Sequence, residues 1–197
     1  MGYALRDNKR HTYGDYRAWP DDARYELIDG AAFLMAPAPT IAHQTVVFEV
    51  ARQLADALDT RGCRVLVAPV DVLLPRGDET DAEVETLVQP DLMVVCDATK
   101  IGTHRVRGAP DWIMEVLSPS SAGHDQIVKL AAYERAGVRE YWLVQPTDRV
   151  LAIYRHDGRS YGRASISELD ASTDVGVLPG VSIDWAPVLA KLGLREA

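Results

Sequence analysis

The chain has 197 residues, 47% of them hydrophobic and 25% charged, with a formal net charge of −8 at pH 7. That suits one domain with a real core, and the composition is too apolar for a disordered chain. The charge excludes a uniformly basic nucleic-acid binder, so docking to a phosphate backbone would have to rest on local potential.

Residues 1–20 are polar with scattered aromatics (Tyr13, Tyr16, Trp19), which predicts a short helix ending near Pro20. MGYALRDNKRH lacks the apolar stretch of a secretory leader, and no run is long and apolar enough to span a membrane, so a cytoplasmic protein is expected. RYELIDGAAFLM reads as two short strands around the turn dipeptide Asp29-Gly30. MAPAP breaks regular structure. Thr40 then caps a helix over about 41–59, with Val46, Val47, Val50, Leu54 and Leu58 on its apolar face and Arg61-Gly62 as its stop.

CRVLVAPVDVLLP predicts one long strand, ended by Pro75. The stretch 76–87 holds Asp78, Glu79, Asp81, Glu83 and Glu85 and reads as a mobile acidic loop. VQPDLMVVC is a second strand, residues 97–110 are polar and punctuated by glycine, and DWIMEVLS is a third strand closed by Pro119. SAGHDQIVKLAAYERAG is a helix, with Ser120 or Ser121 as cap and Gly137 as terminator. VREYWLVQP and RVLAIYRHDG form a hairpin across Pro146-Thr147-Asp148. Beyond it come a β segment around ISELD, an apolar turn VGVLPG and an amphipathic tail. Arg149, Arg155, Arg159 and Arg163 form a basic cluster, read either as a phosphate-docking patch or as a solvated hairpin face.

A helix between strands of one sheet requires at least one parallel pair. The expected fold class is α/β, a sandwich with a central mixed β-sheet flanked by helices. It forms a single domain over residues 1–197, with its core at about 24–156 and a β/helical extension at about 157–197. Cys63 and Cys96 sit among apolar neighbours and are expected to be reduced, buried and inert.

Two carboxylates stand out. In DWIMEVLS, alternation sets Glu115 on the side of Ile113 and Leu117, with Trp112, Met114 and Val116 opposite. Both faces are apolar, so Glu115 is costly unless it is paired, protonated or bound to a metal, or unless the strand is an edge where it reaches water. Asp91 opens the strand QPDLMVV, either as half of a Pro-Asp turn or as a second acid. Were the two strands neighbours, both acids could converge on one magnesium ion, which is typically held by one or two carboxylates plus waters. Phosphate-loop, C-x-x-C, H-E-x-x-H and G-x-S-x-G motifs are absent, and Ser118 and Ser120 have no histidine at a recognisable spacing.

YELIDG, MAPAP with a following histidine, VQPDLMVV, WIMEVLSPSS, D-x-x-x-K-x-x-x-Y and GVREYWLVQP together resemble the Uma-two family of restriction-endonuclease-like proteins, from about residue 10 to residue 185. The resemblance implies a restriction-endonuclease-like fold of the PD-(D/E)XK nuclease superfamily. Asp91 would be the motif aspartate and Glu115 the second acid, with Leu117 where the superfamily places lysine. Lys129 on the following helix would substitute, against the plainer reading of an i,i+4 pair with Asp125. Glu26 would be an early acid near the metal, or a solvent-facing strand residue. His43 would hydrogen-bond a carboxylate or phosphate near its helix N-terminus, or serve the structure alone.

The function implied is a magnesium- or manganese-dependent endodeoxyribonuclease. Asp91, Glu115 and Glu26 would hold the metal, DNA would be the partner, and a homodimer would cut both strands. The alternative is a non-catalytic or regulatory DNA- or nucleotide-binding protein that keeps the nuclease fold.

Overall fold

A computed structural model describes residues 9–20, 24–35, 39–118 and 122–193. The expected break at MAPAP and the caps at Ser120 and Ser121 fall largely or wholly outside these residues.

After a short helix α1 (Tyr13–Tyr16), capped by Thr12, the chain forms the expected hairpin of β1 (Tyr25–Ile28) and β2 (Ala31–Leu34). Its turn has positive φ at Asp29 (53°) and Gly30 (79°), the left-handed backbone that Asp-Gly supplies cheaply. Gly30 is also needed for space, since a Cβ there would lie 2.9 Å from Arg10 Cβ. Helix α2 (Ile41–Leu58) starts at Thr40, whose hydroxyl accepts from the His43 N–H.

Two of the predicted strands prove to be pairs of strands. CRVLVAPVDVLLP splits into β3 (Arg64–Val67) and β4 (Asp71–Leu73), and VQPDLMVVC splits into β5 (Leu87–Val88) and β6 (Leu92–Val95). Each break falls at a proline, Pro69 or Pro90, which cannot donate to a ladder. Next come β7 (Arg105–Arg107) and β8 (Trp112–Val116), then a π-helical segment, His124–Lys129, continuing into α3 (Leu130–Ala136). The remaining elements are β9 (Glu140–Gln145), β10 (Val150–Arg155), β11 (Ser165–Glu168), the ribbon β12 (Ser172–Asp174) and β13 (Ser182–Asp184), and α4 (Ala186–Lys191).

The strands form a five-stranded sheet, β2-β1-β5-β4-β7, and a six-stranded sheet, β11-β10-β9-β8-β6-β3. Both breaks therefore carry the chain from one sheet to the other, and Ala68 N–H bonds Asp91 O across the crossing (3.1 Å). The parallel pair that the connecting helix required is β8 with β9. Strand β8 lies inside its sheet, so both its faces are covered. Trp112, Met114 and Val116 pack with the apolar face of α2, while Ile113 packs with Tyr133 and Tyr141 on the other side. The mixed α/β sandwich is thus as expected. Leu178, Ile183, Trp185 and Val188 of the C-terminal segment pack into the α2-side core.

Two further expectations are corrected. Cys63 and Cys96 form a disulfide. They flank the ends of β3 and β6, whose register pairs Arg64 with Val95, and continuing that register by one residue sets the cysteines opposite each other. The acidic stretch is no open loop. Asp81–Glu83 form a 3-10 turn capped by Thr80, Asp81 accepts from Arg105 Nε (2.7 Å), and Val84 and Thr86 are buried. Among the described residues no helix is long and apolar enough to cross a membrane.

Candidate active site

The crossing between the sheets also builds the site. The β6–β8 register pairs Leu92 with Met114, and one step further sets Asp91 opposite Glu115. Each acid engages the other's strand. Asp91 N–H donates to Glu115 Oε2 (3.2 Å), and Val116 N–H donates to Asp91 Oδ2 (2.8 Å). Asp91 is the more open of the two, its side chain 21% exposed, whereas Glu115 is buried.

Lys129 reaches this pair from the helix. Its Nζ lies 2.8 Å from Glu115 Oε1, 3.0 Å from Glu26 Oε1 and 3.6 Å from Asp125 Oδ1. The i,i+4 contact with Asp125 is therefore present but is the longest of three. The π-helical segment widens the turn so that His124, Asp125 and Lys129 all line one cavity of about 300 Å³. Glu26, His43, Asp91 and Glu115 line it too. All five residues singled out from sequence are thus brought together. Glu26 is buried rather than solvent-facing, and His43 Nε2 lies 3.0 Å from Asp91 Oδ2, fixing that carboxylate from the helix α2 side.

Three further residues join the site, none of them given a role from the sequence, although Tyr133 closes the D-x-x-x-K-x-x-x-Y pattern. Tyr133 donates its hydroxyl to Glu115 Oε1 (2.8 Å). His124 Nε2 lies 3.0 Å from Glu26 Oε2, with its ring against Phe33. Gln89 N–H donates to Glu26 Oε1 (2.8 Å). Tyr133 is four residues beyond Lys129, a helical spacing that could have signalled it. His124 is five before, a separation that only the π turn aligns.

The electrostatics follow from four carboxylates, Glu26, Asp91, Glu115 and Asp125, facing one lysine. Burial pushes the Glu115 carboxyl well above the usual carboxylate range. Lys129 opposes this, and repulsion from Asp91, Asp125 and Glu26 adds to it. Burial would lower Lys129, but Glu115, Glu26 and Asp125 outweigh it and hold the ammonium charged well above its usual range. Burial raises Glu26 as well, yet Lys129, His124 and the Gln89 N–H bring it below its ordinary value. The phenol of Tyr133 is pushed far up by burial and by Glu115, so it stays a donor.

The chain matches the sequence profile of the Uma2 family, described as "Putative restriction endonuclease", over residues 13–186. It belongs to that family. The fold also matches a crystal structure from Anabaena variabilis, titled a putative nuclease belonging to DUF820, with a TM-score of 0.72 at 18% identity. That likeness covers 92% of this chain and 98% of the other, and at this identity it concerns the fold alone. No functionally curated protein matches the chain.

The donor set is compatible with a divalent cation. Asp91 and Glu115 offer hard carboxylate oxygens to one cavity. Among the described residues no group of three or more His, Cys, Asp or Glu is arranged to hold an ion. Glu26 spends its oxygens on Lys129, Gln89 and His124. An open site of two carboxylates completed by water fits this arrangement better than a closed protein cage.

Proposed function

We propose that the chain is a divalent-metal-dependent endodeoxyribonuclease. The observation that carries this reading is the convergence of Asp91, Glu115 and Lys129 on one cavity, with Lys129 supplied by the helix rather than from position 117. Magnesium or manganese would be held chiefly by Asp91 and Glu115. A bound cation of this kind neutralises phosphate charge and lowers the pKa of a coordinated water.

The protein's own groups have distinct tasks. His43 and the Val116 N–H both fix Asp91 through Oδ2, so Oδ1 is the oxygen that would take the metal. Tyr133 and Lys129 fix Glu115 through Oε1, while Oε2 accepts from the Asp91 N–H and would be the oxygen offered to the metal. Lys129, held charged, stabilises a hydroxide nucleophile and the negative charge that grows on the phosphoryl oxygens. Glu26, steered by His124 and Gln89, sets the direction of the ammonium. A twofold dimer would present two such sites to a duplex.

A non-cleaving DNA- or nucleotide-binding protein is the second reading, favoured by Leu117 at the position where the superfamily places lysine. One experiment separates them: plasmid DNA incubated with the purified chain and magnesium or manganese, against the same mixture with chelator. Nicking that needs the metal supports the nuclease. A thermal midpoint that rises with metal while plasmid stays intact supports the binding protein.

A further inference from the structure

Gln89 divides the acid cavity from a second pocket, which shares Gln89 and Pro69 with it and has a volume of about 580 Å³. Its lining includes Tyr16, Asp71, Gln89, Thr103, His104 and Arg105. Gln89 is only 5% exposed. Its Nε2 is spent on Asp71 Oδ1 (2.8 Å), while its Oε1 is buried with no hydrogen-bond partner. Among the described residues no hydrogen bond reaches Asp71 Oδ2 either. Arg105, the nearest cation, turns its guanidinium to Asp81 and over the Tyr13 ring. Asp71 and Gln89 Oε1 are thus acceptors left without a full set of bonded donors, with the Tyr16 phenol and Arg105 as the polar neighbours that act on Asp71. Burial also raises the Asp71 carboxyl above its ordinary value, consistent with an acid short of donors.

Resting on the nuclease reading, we propose that this pocket receives one unpaired guanine base of the DNA whose backbone crosses the acid cavity. Guanine carries two adjacent, parallel donors, N1–H and N2–H, which match a carboxylate. Adenine, cytosine and thymine each place an acceptor beside their donor, and that acceptor would meet the Asp71 carboxylate. Tyr16 lines the pocket as an aromatic partner for a base, and Gln89 and Pro69, shared with the acid cavity, set the two pockets side by side. The pocket would then select where the chain cuts.

The test reads binding alone, with no metal. The full-length ¹⁵N-labelled chain is titrated with dGMP, dIMP, which lacks only the N2 amine, and dAMP. The expected result is shifts at Asp71, Thr103, His104 and the Gln89 side-chain amide, with dGMP binding about tenfold tighter than dIMP, as for loss of one donor to a charged acceptor. Asp71→Asn should close that gap. If that variant fails to fold, the dGMP–dIMP comparison on the parent still decides. Equal binding of dGMP and dIMP, shifts confined to the acid cavity, or the same shifts from guanidinium chloride would overturn the proposal. Selective dGMP binding by a protein that cleaves no DNA would sink the nuclease reading and leave the pocket. Metal-dependent cleavage without a dGMP–dIMP difference would do the reverse.

Discussion

Two regions of this molecule are dense in acids, and they behave in opposite ways. The stretch from Asp78 to Glu85 has five acids close together in sequence. In space they lie at the surface, where Arg105 and Arg107 engage Asp81, and Arg10 engages Glu85. Glu26, Asp91, Glu115 and Asp125 come from four separate segments, meet in and beside the core, and share the single ammonium of Lys129. Surface acids are matched by arginines and water at little gain or cost. Buried acids with too few cations keep a standing demand for positive charge. The proposed chemistry rests on the second kind of cluster, whereas sequence density points to the first.

The largest expected effect breaks the buried cluster. Lys129→Met leaves Glu115 and Glu26 without their cation and should cost about 3–5 kcal/mol, as for removal of one partner from a buried ion pair. Urea unfolding at neutral pH measures it, and a loss below about 1 kcal/mol, the surface-pair range, would erase the contrast drawn above. A smaller effect is expected from Tyr133→Phe, which removes one hydroxyl donor from Glu115 Oε1. About 0.5–1.5 kcal/mol should be lost, since Lys129 still holds that oxygen. The surface counterpart is Asp81→Asn, which should cost less than about 1 kcal/mol, and less still in high salt.

The smallest effect concerns pH. Glu83 and Glu85 are held below the ordinary carboxylate value, chiefly by hydrogen bonds from the Thr80 and Arg10 side chains respectively. Their contribution to stability is therefore present above that ordinary value and fades as pH falls through the lowered one. Thr80→Ala should return Glu83 toward its ordinary titration, read by NMR, while Glu85 stays where it was.

Much of the site was legible because its strands are strongly patterned. DWIMEVLS has apolar residues on both faces, so an acid in it must be compensated. VQPDLMVV sets a second acid at the mouth of another apolar strand. The Asp-Gly turn and the Thr40 cap were equally plain, since local backbone chemistry fixes both. What stayed hidden depends on distant pairing. Nothing in the β-branched runs announces that Pro69 and Pro90 send the chain into a different sheet, yet those crossings bring Gln89 and Glu26 to Asp91. Cys63 and Cys96 could be paired only once β3 and β6 were known to be neighbours in register. That disulfide also removes the cysteine half of the argument for a reducing compartment. His124 escaped notice because an α-helical wheel turns it away from Lys129.

The central claim is that Glu115 sits in its acidic surroundings for the sake of a cation and not of the fold. Glu115→Gln keeps the side chain's shape and an oxygen for Tyr133 while removing one negative charge from the cluster. The decisive measurement pairs two readings on this variant: the thermal midpoint without metal, and plasmid cleavage with magnesium or manganese. The account predicts a midpoint at or above that of the parent, with cleavage reduced at least about a hundredfold, on the scale of losing a group essential to the transition state. A variant that cleaves as well as the parent, or one that loses stability and activity together, would contradict it.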